Sequence, residues 1–291
     1  MKNINQFLLV TLILVSFSTV AQEEYKSLFW SISGNGLKET SYLYGTFHSK
    51  DQRVFNFKEG VKEAFDKADT YAMELNLDSI DRVSMMSAMI MDSNKTLKTL
   101  LSKEDYTLVN QFFIDSIGMS LFMFNKMQPL ITAQMIMTKN LKSEQENALD
   151  FHWFKKAKEQ GKELVGLETM NEQIEAIKSI SVEQQANDLV KAVVDYGKEE
   201  EISTGQLLEI YANGNLDSLM LLMDEFSGDS PSNQEIFNEA FLYSRNKHMA
   251  NRVEKYLKKG SVFMAVGAAH LPKEKGVIEL LRAKGYRVKA L

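Results

Sequence analysis

Two histidines of this sequence each follow a glycine by three positions: His48 follows Gly45, and His270 follows Gly267. Each lies just beyond an apolar run that predicts a buried strand, and a glycine there lets a ligand or metal approach the backbone closely. The carboxylate of Glu74 lies at the end of a third such run. Two imidazoles and one carboxylate are a common ligand set for a catalytic divalent metal that keeps an open coordination position. Such a metal lowers the pKa of bound water toward ~7 and polarises a carbonyl group.

Other polar residues stand where they could assist this chemistry. Glu168 follows a fourth predicted strand and is a candidate general base or hydrogen-bond partner of a ligand. Arg245 could bind a substrate carboxylate through two parallel hydrogen bonds, or form a structural ion pair. Asn76, two residues beyond Glu74, is a candidate for orienting the ligands, because alternate strand residues share a face. The remaining histidines, His152 and His248, lie in predicted helices, and we interpret them as structural.

The elements that must position these residues follow from the hydrophobic pattern. Predicted strands cover residues 28–33, 42–47, 70–76, 163–167, 261–267 and 286–290. Helical patterns fill most of the remainder, including the long stretches 79–140 and 170–226. The pattern predicts an α/β (α+β) fold, a central mixed sheet with a large helical insertion. In open α/β sheets, ligands bind at the carboxyl ends of the strands, where these polar residues are predicted to lie.

One group of Met and Phe residues in the helical stretch has two interpretations. It comprises Met119, Phe122, Met123, Phe124 and Met127. Because Met adapts to varied partners, the group could grip a peptide. We favour the alternative, that these side chains form part of the core between packed helices.

The composition excludes several classes of function. The 291 residues carry a formal net charge of −5 with 25% charged residues, and no basic patch dominates, so we expect no binding to nucleic acid. The sequence contains no cysteine, which excludes thiol catalysis, disulfide bonds and a lipid anchor on cysteine. Its hydrophobic content of 44% is that of an ordinary globular protein with a sizeable core.

Residues 1–21 have the pattern of a secretory signal peptide. Lys2 gives a positive start, residues 7–15 are apolar, and small residues lead to a cleavage position after Ala21. The alternative is an uncleaved membrane anchor, but the apolar run is shorter than the ~20 residues that a span usually needs. We therefore expect a single domain over 22–291, exported to the periplasm or secreted, with no stable membrane span after cleavage.

Several segments together resemble one known family. They are LFWSIS at 28–33, YGTFH at 44–48, AMELN at 72–76, LD at 149–150, KELVGLET at 162–169, EQ at 172–173, RN at 245–246, VGAAHL at 266–271 and GVIELLRAKGYRV at 276–288. In this order they resemble the TraB/GumN family, to which the Tiki membrane proteases are related. The family often has a glycine or an acidic residue after the second His-Leu, whereas Pro272 and Lys273 follow here.

The resemblance implies both a fold and an activity. The fold would be similar to that of erythromycin esterases and haem-binding ChaN-like proteins. Tiki-type members are regarded as metal-dependent proteases that remove N-terminal residues of a secreted protein, preferring manganese or cobalt. The resemblance assigns the active-site roles to His48, His270 and Glu74 of this sequence.

Two functional hypotheses remain open, beside a third in which the histidines are purely structural. The first is an exported metal-dependent hydrolase, a peptidase that cleaves near the N-terminus of a peptide or protein substrate with a metal-activated water. His48, Glu74 and His270 would hold the metal (Mn, Co or Zn), with Glu168 and Arg245 assisting catalysis. The second is a non-catalytic periplasmic protein that binds or sequesters a peptide or haem. The sequence leaves the oligomeric state open.

Overall fold

The computed structural model describes residues 25–92, 94–139, 141–196, 204–226 and 231–291. The predicted signal peptide over 1–21 lies outside this described part. The strands are β1 Phe29–Gly34, β2 Ser41–Thr46, β3 Thr70–Met73, β4 Glu163–Gly166, β5 Val262–Gly267 and β6 Tyr286–Ala290. They form one mixed sheet in the order β4-β3-β5-β2-β1-β6, which confirms the predicted central sheet.

The direction of the strands decides where the polar residues meet. Strands β4, β3, β5 and β2 are neighbours and run parallel, whereas β1 pairs antiparallel with both β2 and β6. Residues 262–266 in the middle strand β5 are all buried and apolar, as expected for a parallel strand covered on both faces. The carboxyl ends of four parallel strands therefore lie along one edge of the sheet.

Helices make up most of the remaining described chain. The α-helices are α1 Val61–Lys67, α2 Arg82–Met89, α3 Leu97–Leu100, α4 Lys103–Phe112, α5 Pro129–Thr138, α6 Leu149–Glu159, α7 Met170–Lys178, α8 Val182–Asp195, α9 Thr204–Ala212, α10 Leu216–Phe226, α11 Pro231–Asn238, α12 Ser244–Leu257 and α13 Val277–Ala283. Within the described ranges, none of them is both long enough and apolar enough to span a bilayer.

Two hydrophobic clusters stabilise the chain. The larger one surrounds the sheet, and at its centre the rings of Phe65, Trp153 and Phe263 pack with centroids 4.4 to 5.6 Å apart. Aromatic pairs at such distances add to the free energy gained by burial. The smaller cluster joins α3, α4, α5 and α8 through residues that include Leu97, Phe113 and Leu189. The helical insertion therefore has a core of its own beside the sheet.

The ends of two elements differ from the sequence-based prediction. Strand β3 ends at Met73 instead of 76, so Glu74 lies just beyond the strand. The sequence pattern predicts the last helix from residue 273, but α13 begins at Val277, because Lys273 has a φ of +70°, which no right-handed helix accommodates. Gly276 is needed before this helix, since a Cβ atom there would lie 2.1 Å from the carbonyl oxygen of Pro272.

The predicted core role of the Met and Phe group is wrong for its exposed members. Phe122 and Met123 expose 69% and 72% of their surface, and Met119 exposes 43%. Phe124 and Met127 are half-buried. Within this segment the inward position is taken by Leu121, which is fully buried in the smaller cluster.

Candidate active site

The strand register brings the predicted site residues to one edge of the sheet. Thr46 of β2 lies opposite Gly267 of β5, and Met73 of β3 lies opposite both Ala265 of β5 and Gly166 of β4. The next residues along these strands lead to His48, Glu74, Glu168 and His270. The structure thus confirms that the four strand ends converge, as expected for strand ends of one sheet at which a ligand binds.

Glu74 lies at the centre of this edge. Its Oε1 atom accepts a hydrogen bond of 2.7 Å from the backbone N–H of Gly267 and lies 3.7 Å from Nε2 of His270. A Cβ atom on residue 267 would come within 3.2 Å of Oε1, so the glycine allows this approach. Burial alone would raise the pKa of Glu74, but electrostatic interactions with His270 and Arg245 and the Gly267 hydrogen bond lower it below the usual value. The side chain remains 27% exposed, which leaves it within reach of a ligand.

His270 is buried and held in one orientation. Its Nδ1 atom lies 2.7 Å from the side-chain oxygen of Asn246, whose Nδ2 atom donates to the carbonyl of Lys275. Because the carboxamide oxygen can only accept, Nδ1 carries the proton and the neutral ring has its lone pair on Nε2. Burial lowers the pKa of His270 and so favours this neutral form, although the charge of Glu74 opposes the shift.

Arg245 joins the two carboxylates. Its Nε and Nη2 atoms donate to the two oxygens of Glu168 at 2.8 and 2.6 Å, and Nη2 also donates to Oε2 of Glu74 at 2.8 Å. Nη1 binds the carbonyl of Phe241, so the guanidinium is largely used within the chain. Burial disfavours its charge, but the two carboxylates outweigh burial and raise the pKa of Arg245. This geometry fits the structural ion pair, and the binding of substrate by Arg245 stays a prediction.

Glu168 is the most enclosed of these groups. Its carboxylate is fully buried, and Gln173 donates to Oε2 in addition to Arg245. A carboxylate held by three hydrogen bonds suits a residue that positions its neighbours better than one that exchanges protons with solvent. The general-base role of Glu168 remains an untested prediction. We refer to Glu74, Glu168, Arg245 and His270 as the strand-end cluster.

His48 lies beside the strand-end cluster but faces solvent. Its side chain is 79% exposed, and Nδ1 lies 3.2 Å from Oδ2 of Asp150, whose other oxygen accepts from the hydroxyl of Thr46. The hydrogen bond to Asp150 raises the pKa of His48, although partial desolvation of the ring by its neighbours opposes the shift and the charge of Glu74 adds to it. With Nδ1 facing a carboxylate, the outward nitrogen is again Nε2.

The two Gly-x-x-His segments therefore share an arrangement that sequence reasoning did not identify. In each, Nδ1 of the histidine is bound by a side-chain oxygen, from Asp150 for His48 and from Asn246 for His270. Such partners fix the tautomer of a metal-binding histidine and leave Nε2 available. Both partners lie within the segments that resembled the family, but only the folded chain reveals their contacts.

The donor atoms fit a metal in part. Metal–nitrogen and metal–oxygen bonds to His and carboxylate are about 2.1 Å long, so one ion could bridge atoms 3.7 Å apart, the separation of His270 Nε2 and Glu74 Oε1. Across the described residues, however, no three His, Asp or Glu side chains lie close enough together to enclose an ion. The third ligand, predicted to be His48, is turned toward Asp150.

Two sequence-based expectations about neighbouring residues were wrong. Gly45 does not make room for a ligand, because a Cβ atom there would lie 3.1 Å from Cα of Ala268 and from Cδ2 of Leu271. The glycine lets β2 pack against the turn that follows β5. Asn76 does not share a strand face with Glu74, since its side chain caps the short turn at 77–79 and donates to the carbonyl of Leu164.

The other two histidines have structural surroundings. The ring of His152 packs edge-to-face on Phe55 with centroids 5.4 Å apart, and burial lowers its pKa. Nδ1 of His248 is buried and lies 3.1 Å from Oε1 of Glu172. These contacts fit the structural interpretation.

Comparison with known proteins decides the family. The sequence profile of the TraB/PrgY/gumN family matches residues 28–290, which include every member of the strand-end cluster and His48. The chain belongs to this family. No solved structure matches it, so the expected similarity to erythromycin-esterase and ChaN-like folds stays a prediction.

Curated relatives of this TraB/PrgY/gumN family chain are named as proteases. Metalloprotease TIKI2 of Danio rerio is 23% identical over 319 residues, covering 92% of this chain and 62% of the relative. Metalloprotease TIKI1 of Danio rerio is 24% identical, with 92% and 63% covered, and Metalloprotease TIKI1 of Homo sapiens is 23% identical, with 92% and 62% covered. The chain spans about three-fifths of the length of these relatives.

Proposed function

We propose that this protein is an exported metal-dependent hydrolase, a peptidase that cleaves near the N-terminus of peptide or protein substrates. One observation carries the proposal: Nε2 of His270, whose Nδ1 faces the side-chain oxygen of Asn246, lies 3.7 Å from Oε1 of Glu74, where the parallel strands of the sheet end. Membership of a family with relatives named metalloproteases supports the same chemistry. The apolar N-terminal stretch, preceded by Lys2 and followed by small residues, supports export.

The residues that would hold the metal are His48, Glu74 and His270. A bound divalent ion would supply Lewis acidity and a water of lowered pKa. The chain's own contribution is to prepare the ligands: Asn246 keeps Nε2 of His270 free of its proton, and Arg245 keeps Glu74 ionised and fixed. Of these three residues, His48 would have to turn toward the metal, and its exposed ring lies on a loop beyond β2 that leaves room for this rotation.

Glu168 and Arg245 complete the arrangement around the ligands. With Glu168 and Glu74 bound by one guanidinium, the three charged side chains carry a net charge of about −1. That residual negative charge would favour a cation beside Glu74 without leaving an isolated buried carboxylate, which would be costly.

A second candidate function is non-catalytic binding of a peptide or haem. The observation that favours it is that Glu74 is already bound by Arg245 and by the N–H of Gly267, while no enclosing set of three acidic or histidine ligands occurs in the described ranges. In that case the same edge of the sheet would bind a ligand without turnover.

Metal analysis combined with a cleavage screen tests the proposal. The purified chain is analysed for bound metal and then incubated with a peptide library, with and without added Mn(II). We expect about one metal per chain and cleavage close to free N-termini, both lost in His270→Ala with an unchanged circular dichroism spectrum. Tight ligand binding that survives chelation, without cleavage, would instead favour the second candidate. Absence of both bound metal and peptide cleavage would overturn the proposal that the protein is a hydrolase.

A further inference from the structure

An apolar hollow opens beside His48, between the sheet and the helical insertion. It has a volume of about 540 Å³, which is typical of a ligand site. His48 lines one part of it, and the apolar lining comes mainly from α5 and the segments before it. The apolar lining residues are Met89, Phe124, Met127, Ile131, Met135 and Leu141.

The apolar lining is accessible in the folded chain. Phe124, Met127 and Ile131 are only half-buried, although each is a large apolar side chain. Phe124 and Met135 also pack against the core of the insertion, and Leu141 packs against the core around the sheet. The hollow therefore has walls supported by both clusters, and contiguous exposed apolar surface of this kind marks binding sites.

The titratable side chains that line the hollow are all basic. Lys50 and Lys142 line it and are exposed, and no carboxylate occurs among the described lining residues. Neither lysine forms an ion pair within 4 Å in the parts of the chain that the structure covers. The neighbouring acid Asp51 is buried and bound by Arg53 at 2.7 and 2.9 Å. The chain as a whole is negative, with a net charge of −5, so a lining whose permanently charged residues are lysines is a local feature, although the charge of Lys142 also acts on Asp51.

These observations define the chemistry of an occupant. We infer that the hollow binds a substrate peptide segment that carries a large apolar side chain beside the scissile bond and an acidic side chain close to it. Methionines accommodate apolar side chains of varied shape, so the apolar preference is for size and not for one residue type. The lysines attract the carboxylate. The inference rests on the proposed peptidase function, because it is His48 at the candidate site that places the hollow next to the reaction.

Binding of designed peptides tests the inference apart from catalysis. Four ten-residue peptides of Gly and Ser with a neutral fluorophore would carry Leu or Ser at one position and Glu or Lys two positions later. Their affinity for the full chain would be measured by fluorescence anisotropy on the His270→Ala variant and on the wild-type protein with EDTA. We expect the Leu/Glu peptide to bind best, with Leu→Ser and Glu→Lys each weakening binding by about tenfold or more.

Variants of the hollow connect this preference to the named residues. In Lys50→Glu/Lys142→Glu the peptide with Lys should bind better than the peptide with Glu, while the preference for Leu remains. Met127→Gln should reduce the preference for Leu and leave the charge preference unchanged. The matched control is Lys38→Glu/Lys58→Glu, which makes the same change of charge at exposed positions outside the hollow.

The outcomes separate the inference from the proposed function. Cleavage by the metal-loaded protein with no preference among the four peptides would overturn the inference and leave the peptidase intact. The expected preferences without any cleavage would support the hollow and contradict the peptidase. Absence of binding by all four peptides, or a charge preference that changes equally in the control variant, would also overturn the inference.

Discussion

The Nδ1 atom of His270 lies 2.7 Å from the side-chain oxygen of Asn246, and this contact decides which ring nitrogen of the histidine is free. Asn246 is itself fixed, because its amide donates to the carbonyl of Lys275 and the residue is 1% exposed. The tautomer of His270 is thus set by the attachment of α12 to the loop before α13. Asn246, buried on α12, therefore controls whether Nε2 of His270 offers a lone pair to the site.

Replacing Asn246 tests this control. Leucine has nearly the same shape as asparagine but no hydrogen-bond acceptor. In Asn246→Leu, Nδ1 of His270 therefore loses its acceptor, and we expect metal affinity to fall by about 10- to 100-fold. Asn246→Asp keeps an acceptor for Nδ1 and is the matched control, expected to retain more of the affinity. Isothermal titration calorimetry with the metal measures the affinity of both variants. Equal affinity of a folded Asn246→Leu and the wild-type protein would contradict the assigned role.

The two glycines of the Gly-x-x-His segments should respond differently to alanine. In Gly45→Ala the new Cβ meets the backbone of Ala268 at 3.1 Å, which cannot move easily, so we expect a loss of about 1–3 kcal/mol in the free energy of unfolding. In Gly267→Ala the Cβ meets the flexible end of Glu74 at 3.2 Å. The carboxylate would then shift, lowering metal affinity more than stability.

Urea unfolding and metal titration on both glycine variants measure the difference. Each variant serves as the control for the other, since the chemical change is the same methyl group. A stability loss in Gly267→Ala that exceeds the loss in Gly45→Ala would show that this account of the two glycines is wrong.

Arg245 should matter more for stability than an exposed arginine would. It is 13% exposed and neutralises Glu168, which is fully buried. Removing one partner of a buried pair leaves an uncompensated charge, so Arg245→Met should cost about 3–5 kcal/mol of unfolding free energy. The double variant Arg245→Met/Glu168→Gln removes that charge and should recover part of the loss.

Urea denaturation of the single variants and the double variant gives the coupling between the two side chains. A double variant no more stable than Arg245→Met would contradict a direct charge interaction. Arg252→Met is a suitable comparison, because Arg252 also binds a carboxylate, that of Glu172, but is 36% exposed.

Much of the site was predictable because it depends on strand order. Apolar runs followed by polar residues predicted that His48, Glu74, Glu168 and His270 end strands of one sheet, and the parallel register of those strands confirms their convergence. The central strand β5 was recognisable because full burial on both faces requires an uninterrupted apolar run. These features are local in the sequence, or follow from the rule that parallel strands end at one edge.

What the sequence did not reveal depends on contacts between distant segments. Asp150 lies 102 residues from His48 along the chain, and no spacing indicates that it binds Nδ1. The role of Gly45 was misinterpreted, because the need for a glycine comes from the packing of Ala268 and Leu271 and not from a ligand. Asn76 was misplaced because its side chain caps a turn, a local alternative that ends the strand early.

The pair of Glu172 and Arg252 should make stability depend on acid. Both carboxylate oxygens of Glu172 accept hydrogen bonds of 2.6 Å from Arg252. These bonds, assisted by hydrogen bonds from Thr169 and opposed by burial, lower the pKa of Glu172 from 4.5 to about 2. A carboxyl group whose pKa is lower in the folded than in the unfolded chain stabilises the fold at any pH above its unfolded pKa. The contribution of Glu172, about 2 kcal/mol after solvent screening, should therefore be complete above pH 4.5 and lost between pH 4.5 and 2. Glu172→Gln should therefore lower the free energy of unfolding at pH 7 and match the wild-type protein near pH 2, measured by urea denaturation across pH.

Glu63→Gln, which breaks the exposed pair with Lys67, is the control and should change the profile little. If the wild-type protein and Glu172→Gln lose stability in parallel between pH 4.5 and 2, another carboxylate controls the acid response.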